Sequence, residues 1–111
     1  MSSLQKRKAY KRVDFERFNQ LLPSNIMKLV QKLLPGGKRN RMNEYVVRNP
    51  TREDRKPGSF SVHVGPSHKC GQWYDHATGE GGDFIELWRY TRSGSLTRVE
   101  AAIEILNTLG E

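Results

Sequence analysis

Apolar residues recur at helical spacing in the first third of the chain. Asp14 can cap a first helix, and a second apolar stripe comprises Ile26, Leu29, Val30, Leu33 and Leu34. Pro23 separates this stripe from Phe15, Phe18, Leu21 and Leu22, and Pro35-Gly36-Gly37 stops it. We therefore expect two short helices within residues 14–36. The second stripe is either core or a partner surface, and core is the default interpretation.

The middle of the chain alternates between apolar and polar residues, which is typical of strands. The segments EYVVR (44–48) and SFSVHV (59–64) predict two strands, the second with Phe60, Val62 and Val64 on one face and His63 on the other. Gly65-Pro66-Ser67 predicts a turn, and residues 68–74 a returning strand. The pattern thus predicts a three-stranded antiparallel sheet within residues 43–76.

The stretch WYDHATGEGGDFIELW (73–88) predicts a strand, a turn and the start of a helix. Trp73 and Tyr74 favour a strand, and three glycines within residues 78–82 indicate positive φ or a close approach of the backbone. Asp83 can cap the helix that follows. Such a turn could bind an anion, but Glu80 and Asp83 repel phosphate and no GxGxxG or GxxxxGK[ST] motif is present. A tight turn between sheet and helix is the favoured interpretation.

The last segment predicts a helix that opens with a capping box. Thr97 and Glu100 have the required spacing, and the expected apolar face consists of Leu96, Val99, Ala102, Ile103 and Leu106. The fold class is therefore α+β. It comprises two N-terminal helices, a three-stranded antiparallel sheet, and two C-terminal helices that lie within residues 83–109. We expect one domain over residues 14–111, preceded by a flexible basic arm over residues 1–13.

Charge is distributed unevenly along the 111 residues. Residues 1–56 hold 15 Lys and Arg against 5 Asp and Glu, whereas residues 57–111 hold 4 against 7, giving a net charge of +7. This asymmetry points to a polyanion, most often nucleic acid; a solvated tail with a solubilising surface is the alternative. The single Cys70, the absence of a long apolar run and the charged N-terminus indicate a cytoplasmic protein without membrane contact.

Basic residues flank the predicted strands and are candidate phosphate contacts: Lys38, Arg39, Arg41, Arg48, Arg52, Arg55 and Lys56. Contacts of this kind give salt-dependent affinity and little sequence discrimination. Tyr45, Trp73 and Tyr74 lie on the same predicted sheet and could stack single-stranded bases. Core packing is the alternative for each ring, and Trp73 is the strongest candidate because its neighbours are polar.

Candidate catalytic and metal-binding patterns are weak. His63, His68, Cys70 and His76 lack the paired short spacings of structural zinc sites. Asp75 and His76 are adjacent at a strand end and should point to opposite faces, which makes a poor catalytic dyad. A weaker hypothesis is an enzyme fragment in which Asp75, His76 and Asp83 bind a metal. We expect no catalytic residue and no cofactor.

Two segments together resemble a known family. NPTREDRKPGSFSV (49–62) and WYDHATGEGGDFI (73–85), with Glu100-Ala101-Ala102 in the closing helix, resemble the N-terminal zinc-ribbon domain of bacterial, phage and plasmid DNA primases. The resemblance covers residues 37–108. The positions of the family's four metal ligands hold Asn49, Arg52, Asp75 and Thr78, which are not a zinc ligand set. The resemblance therefore implies a metal-free version held by hydrogen bonds, with an Arg52–Asp75 pair as the obvious candidate.

The resemblance also implies a function. We expect a non-catalytic module of a primase, or of a phage, plasmid or mobile-element replication protein, that binds template DNA and prefers single strands. The polymerising chemistry of such proteins lies in a separate downstream domain. The alternative is a docking module that recruits a replication helicase or polymerase through residues 26–34 or through the acidic second half. DNA versus RNA, sequence preference and oligomeric state are left open.

Overall fold

A computed structural model describes residues 13–49 and 59–111. The elements in chain order are α1 (Phe15–Leu33), β1 (Lys38–Arg39), β2 (Glu44–Val47), β3 (Phe60–His63), β4 (Trp73–Asp75), β5 (Gly81–Gly82), α2 (Phe84–Thr91) and α3 (Arg98–Thr108). The α+β class is confirmed. The predicted basic arm lies outside the described residues except for Val13.

The sheet has five antiparallel strands in the order β1-β2-β3-β4-β5, so the expected three-stranded sheet is wrong. The two additional strands are short edges, β1 with two charged residues and β5 with two glycines. Neither has a strand-forming side-chain pattern, because an edge strand needs only its backbone groups to pair with its neighbour. The basic segment from Lys38 and part of the glycine turn are therefore strands.

The returning strand also begins later than predicted. Residues 68–71 form a turn, and β4 starts at Trp73. Gly71 in this turn has φ +88°, and a Cβ there would lie 2.8 Å from Cβ of Phe84. The turn is thus wedged against the start of α2, where only glycine fits.

A single helix replaces the two expected N-terminal helices. α1 runs through Pro23, and its buried residues Phe18, Leu22, Ile26, Leu29 and Val30 keep one face across the proline. Continuous burial of that face outweighs the local cost of the proline. The chain therefore has three helices in its described part, not four. None of these described helices combines the length and the hydrophobicity needed to span a bilayer.

The core lies on one side of the sheet, beneath the helices. The row Tyr45, Val62 and Trp73 points into it, and the second apolar stripe of α1 is core, which confirms the default interpretation. α3 begins with the predicted capping box of Thr97 and Glu100, but its buried residues are Ala101, Ala102 and Ile105. Val99 is exposed, so the predicted apolar face of this helix is rotated from the observed one.

Candidate nucleic-acid interface

The opposite side of the sheet carries no helix and forms an open face. Strand register aligns a cross-strand row of five residues on it, Lys38, Val46, Ser61, Tyr74 and Gly81. These residues alternate with the core row, so their side chains leave the sheet on the side away from the helices. A groove of about 710 Å³ follows this face, lined among others by Met42, Lys69, Gln72 and His76.

Tyr74 is the exposed aromatic ring of the open face. Its relative exposure is 45%, and the edge-on ring of His76 lies 4.8 Å away between centroids. On one side its neighbour is Gly81, where a Cβ would lie 3.1 Å from Cδ1 of Tyr74. On the other side the neighbour is the small Ser61. Small flanking residues leave the ring accessible for stacking on a planar ligand.

The other two candidate rings belong to the core. Tyr45 is 1% exposed, and its hydroxyl donates to the carbonyl of Leu34. Trp73 is 6% exposed and packs against both Phe60 and Tyr90, with ring centroids 5.3 and 4.7 Å away. Enclosure of these rings favours the alternative of core packing for both. Of the three, only Tyr74 presents its ring to a ligand at the surface.

The cations of the open face have no carboxylate partner within the described ranges. Lys38 and Arg48 are exposed, with Lys38 in the Tyr74 row and Arg48 placed on the same face by alternation after Val47. Arg41 is exposed in the turn between β1 and β2. The groove lining includes one carboxylate, that of Glu44, which pairs with Nδ1 of His63 at 2.6 Å. The face thus offers positive charge to an anionic ligand.

Other predicted cations are placed differently. Arg39 lies opposite Tyr45, hence on the helix side of the edge strand, and donates to Oδ1 of Asn43 at 2.7 Å. Arg52, Arg55 and Lys56 fall outside the described residues, so their phosphate contacts stay a prediction.

The helical layer pairs its arginines with acids. Arg92 pairs with Glu104 at 2.6 Å, and Arg98 pairs with Asp83 at 2.7 Å and also with Glu86. Burial acts to raise the pKa of Asp83, but the hydrogen bond and charge of Arg98 and the backbone N–H groups of α2 outweigh it and lower that pKa. The same carboxylate accepts from the N–H of Glu86 as the predicted helix cap. These arginines are therefore engaged in structure.

Of the four positions that the primase resemblance aligns with metal ligands, Asn49 and Asp75 meet through their side chains beneath the sheet, and Thr78 touches Asp75 through its backbone. The side-chain amide of Asn49 donates to Oδ2 of Asp75 at 2.6 Å, and the N–H of Ala77 donates to Oδ1 at 2.8 Å. The N–H of Thr78 donates to the main-chain carbonyl of Asp75 at 3.2 Å. Asn49 and Asp75 are 2% and 0% exposed. A buried hydrogen-bond cluster thus occupies this place; Arg52 lies outside the described residues, and its pairing with Asp75 stays a prediction.

No group of three metal-ligating side chains occurs among the described residues. Asp75 points into the core, His76 is exposed, and Asp83 caps α2 beside Arg98. The predicted opposition of Asp75 and His76 is confirmed. The three candidate ligands of the enzyme hypothesis therefore do not converge.

Sequence reasoning missed Met42, Lys69 and Gln72 as parts of the open face. Met42 is 77% exposed, in the turn before β2; Lys69 lies within the turn before β4, and Gln72 directly follows that turn. The local sequence does not indicate these residues as binding residues, because two separate turns bring them to one groove. Their proximity follows only from the strand register.

Comparisons with protein-family models, with curated proteins and with solved structures find no match for this chain. The resemblance to primase zinc-ribbon domains thus stays a prediction from the sequence.

Proposed function

We propose that this chain is a non-catalytic nucleic-acid-binding module that holds single-stranded DNA on the open face of its sheet. The observation that carries the proposal is the exposed ring of Tyr74 on a face whose cations lack carboxylate partners in the described part of the chain. An unpaired base can stack on the ring while Lys38 and Arg48, towards the β1 edge of the sheet, contact phosphates further along the strand.

The geometry favours single strands over duplex. A duplex keeps its bases stacked inside, so an isolated ring on a flat sheet cannot reach a base face without opening it. The phosphate contacts alone would bind either form. Stacking on Tyr74 therefore supplies the preference for a single strand.

The primase resemblance supports a role in replication. In that setting the module would hold template DNA for a separate catalytic domain, in a primase or in a phage, plasmid or mobile-element replication protein. The hydrogen bond between Asn49 and Asp75 supports the metal-free form of the fold. The protein-docking alternative predicted either residues 26–34 or the acidic second half as its surface. The first is not available, because Ile26, Leu29 and Val30 are buried.

Fluorescence anisotropy with a labelled oligothymidylate tests the proposal. Affinity should fall steeply as salt rises, since phosphate contacts release counterions. An unlabelled single strand should compete better than a duplex of the same length. Equal competition by the duplex would contradict the stacking role, and no binding at low salt would contradict the proposal as a whole. A zinc assay on the same sample tests the metal-free fold separately.

A further inference from the structure

A second groove lies at the other edge of the sheet, between β5 and the end of α2. It has a volume of about 680 Å³, and we call it the edge groove. Glu80 and Gly81 line one wall, and Tyr90 and Gly94 line the other. The groove is separate from the Tyr74 face, because its ring contacts involve Trp73 and Tyr90 on the helix side of the sheet.

The backbone of β5 faces this groove. β5 ends the sheet order, and the N–H of Asp75 donates to the carbonyl of Glu80 at 2.8 Å. Hydrogen-bonded and non-bonded pairs alternate in an antiparallel ladder, so the next pair, Tyr74 with Gly81, is of the non-bonded kind. The N–H and carbonyl of the exposed Gly81 therefore point away from β4. One donor and one acceptor are positioned for an added strand.

Within its described lining, the edge groove carries one uncompensated negative charge, that of Glu80. Glu80 accepts hydrogen bonds from the hydroxyls of Thr78 and Tyr90, at 3.1 and 3.2 Å, and has no cationic partner within the described segments. The other charged groups that line the groove, Glu86 and Arg89, pair with each other at 3.0 Å. A lysine or arginine side chain would complement Glu80.

The floor of the groove holds a donor without an acceptor. The indole N–H of Trp73 is buried and has no hydrogen-bond partner among the described residues. Nε1 lies 3.2 Å from the point where a Cβ of Gly82 would stand, and that point lies 3.0 Å from Cβ of Glu86. An unsatisfied buried donor costs free energy. Because this one lies beside Gly82 and Glu86, its environment should change when a segment binds to β5.

We propose that the edge groove binds an extended basic segment of a partner protein, which adds to β5 as a sixth strand. Main-chain hydrogen bonds to Gly81 give affinity, and a Lys or Arg beside Glu80 gives specificity. A second copy of this chain fits less well, because pairing two β5 edges brings two uncompensated Glu80 carboxylates together. Nucleic acid is repelled by the same carboxylate. The edge groove is separate from the open face, so a segment bound there leaves the proposed DNA-binding face free.

NMR mapping with a capped heptapeptide, Thr-Val-Lys-Val-Lys-Val-Thr, tests this inference. The amides of residues 79–82 and the indole N–H of Trp73 should shift in a saturable manner, and those of Val46 and Ser61 should not. The same peptide with both lysines replaced by glutamate should bind at least several-fold more weakly. Absence of saturable shifts at β5, or equal shifts with the glutamate peptide, would overturn the proposal.

Three variants separate this site from the rest of the molecule. Glu80→Gln should weaken binding of the lysine peptide about threefold, as expected for an exposed ion pair. The matched control Glu16→Gln lies in the first turn of α1 and should leave it unchanged. Lys38→Gln, at the opposite edge of the sheet, should also leave peptide binding unchanged, so failure here and failure of DNA binding are distinguishable. Equal peptide affinity of Glu80→Gln and wild type would contradict the assigned role of Glu80.

Discussion

The two faces of the sheet differ most sharply at adjacent residues of β4. Asp75 is 0% exposed and joins a buried hydrogen-bond cluster, whereas Tyr74 is 45% exposed on the open face. Strand alternation separates the two because successive side chains point to opposite faces. The covered face should therefore determine stability and the open face binding, and substitutions on each should change only one of these.

The largest expected effect is loss of stability from the covered face. Asn49→Ala removes the amide that donates to Oδ2 of Asp75 at 2.6 Å and to the Tyr90 hydroxyl at 3.0 Å. A buried carboxylate that loses a donor costs about 2–3 kcal/mol in free energy of unfolding. Urea denaturation measures this cost.

The matched control for Asn49→Ala is Asn107→Ala, an exposed position in α3. Its free energy of unfolding should stay within about 0.5 kcal/mol of wild type. DNA affinity of the folded fraction should be the same for both variants. Equal stability of the two variants would show that the Asn49–Asp75 hydrogen bond does not stabilise the fold.

The next effect is loss of binding from the open face. Tyr74→Ala should weaken single-stranded DNA binding by about 1–3 kcal/mol, which is the usual range for one stacked base. Tyr74→Phe keeps the ring and should bind like wild type, because stacking does not need the hydroxyl. Anisotropy titrations measure the affinities, and denaturation should show little change for either variant. Equal weakening by both variants would point to the hydroxyl rather than to the ring.

The contrast between Tyr74 and Asp75 also shows what the sequence can predict. Local signals were reliable: Asp83 caps α2 and Thr97 opens α3, since each cap depends on residues within one turn. Alternation placed Asp75 and His76 on opposite faces. It could not say which face the helices cover, so both rings are predicted as binding residues and Trp73, the buried one, is the stronger candidate. Only the packed structure assigns one ring to the core and the other to the surface.

The missed elements depend on contacts distant in sequence. β1 and β5 consist of Lys38-Arg39 and Gly81-Gly82, whose side chains carry no strand pattern because their neighbours supply the pairing. α1 crosses Pro23 because one apolar face stays buried along its whole length. Of the predicted nucleic-acid contacts, Tyr74 lines the groove of the open face, Lys38 lies in the same cross-strand row, and Arg48 is exposed after β2. The pattern does not predict Met42 and Lys69, which turns bring to the groove beside Tyr74.

A smaller effect is expected in the salt dependence of DNA binding, which should differ between cations with and without a carboxylate partner. Arg48→Gln should reduce the slope of log affinity against log salt by about 0.7, the value for one phosphate contact on a single strand. Arg92→Gln is the matched control, because Arg92 pairs with Glu104 at 2.6 Å in the helical layer. Its salt slope should equal that of wild type. A common change in slope for both variants would mean that net charge, rather than the open face, governs binding.

The smallest effect concerns the acid stability of the helical layer. Because the interactions of Asp83 with Arg98 and the α2 backbone outweigh its burial, its pKa in the folded state lies below the usual value of about 4. The stabilisation from Asp83 is therefore complete above pH 4 and is lost as pH falls through the lower folded pKa. Asp83→Asn keeps a helix cap but removes this titration, so its urea midpoint should fall less steeply with pH in that range.

Asn107→Ala is the control for this acid limb. Asn107 is exposed in α3 and carries no titrating group. Asn107→Ala should therefore keep the pH dependence of wild type. DNA affinity at neutral pH should be unchanged in both variants, because the Asp83–Arg98 pair belongs to the covered side of the sheet. A lower affinity in Asp83→Asn alone would show that the helical layer also supports the open face, and the separation of the two faces would then be incomplete.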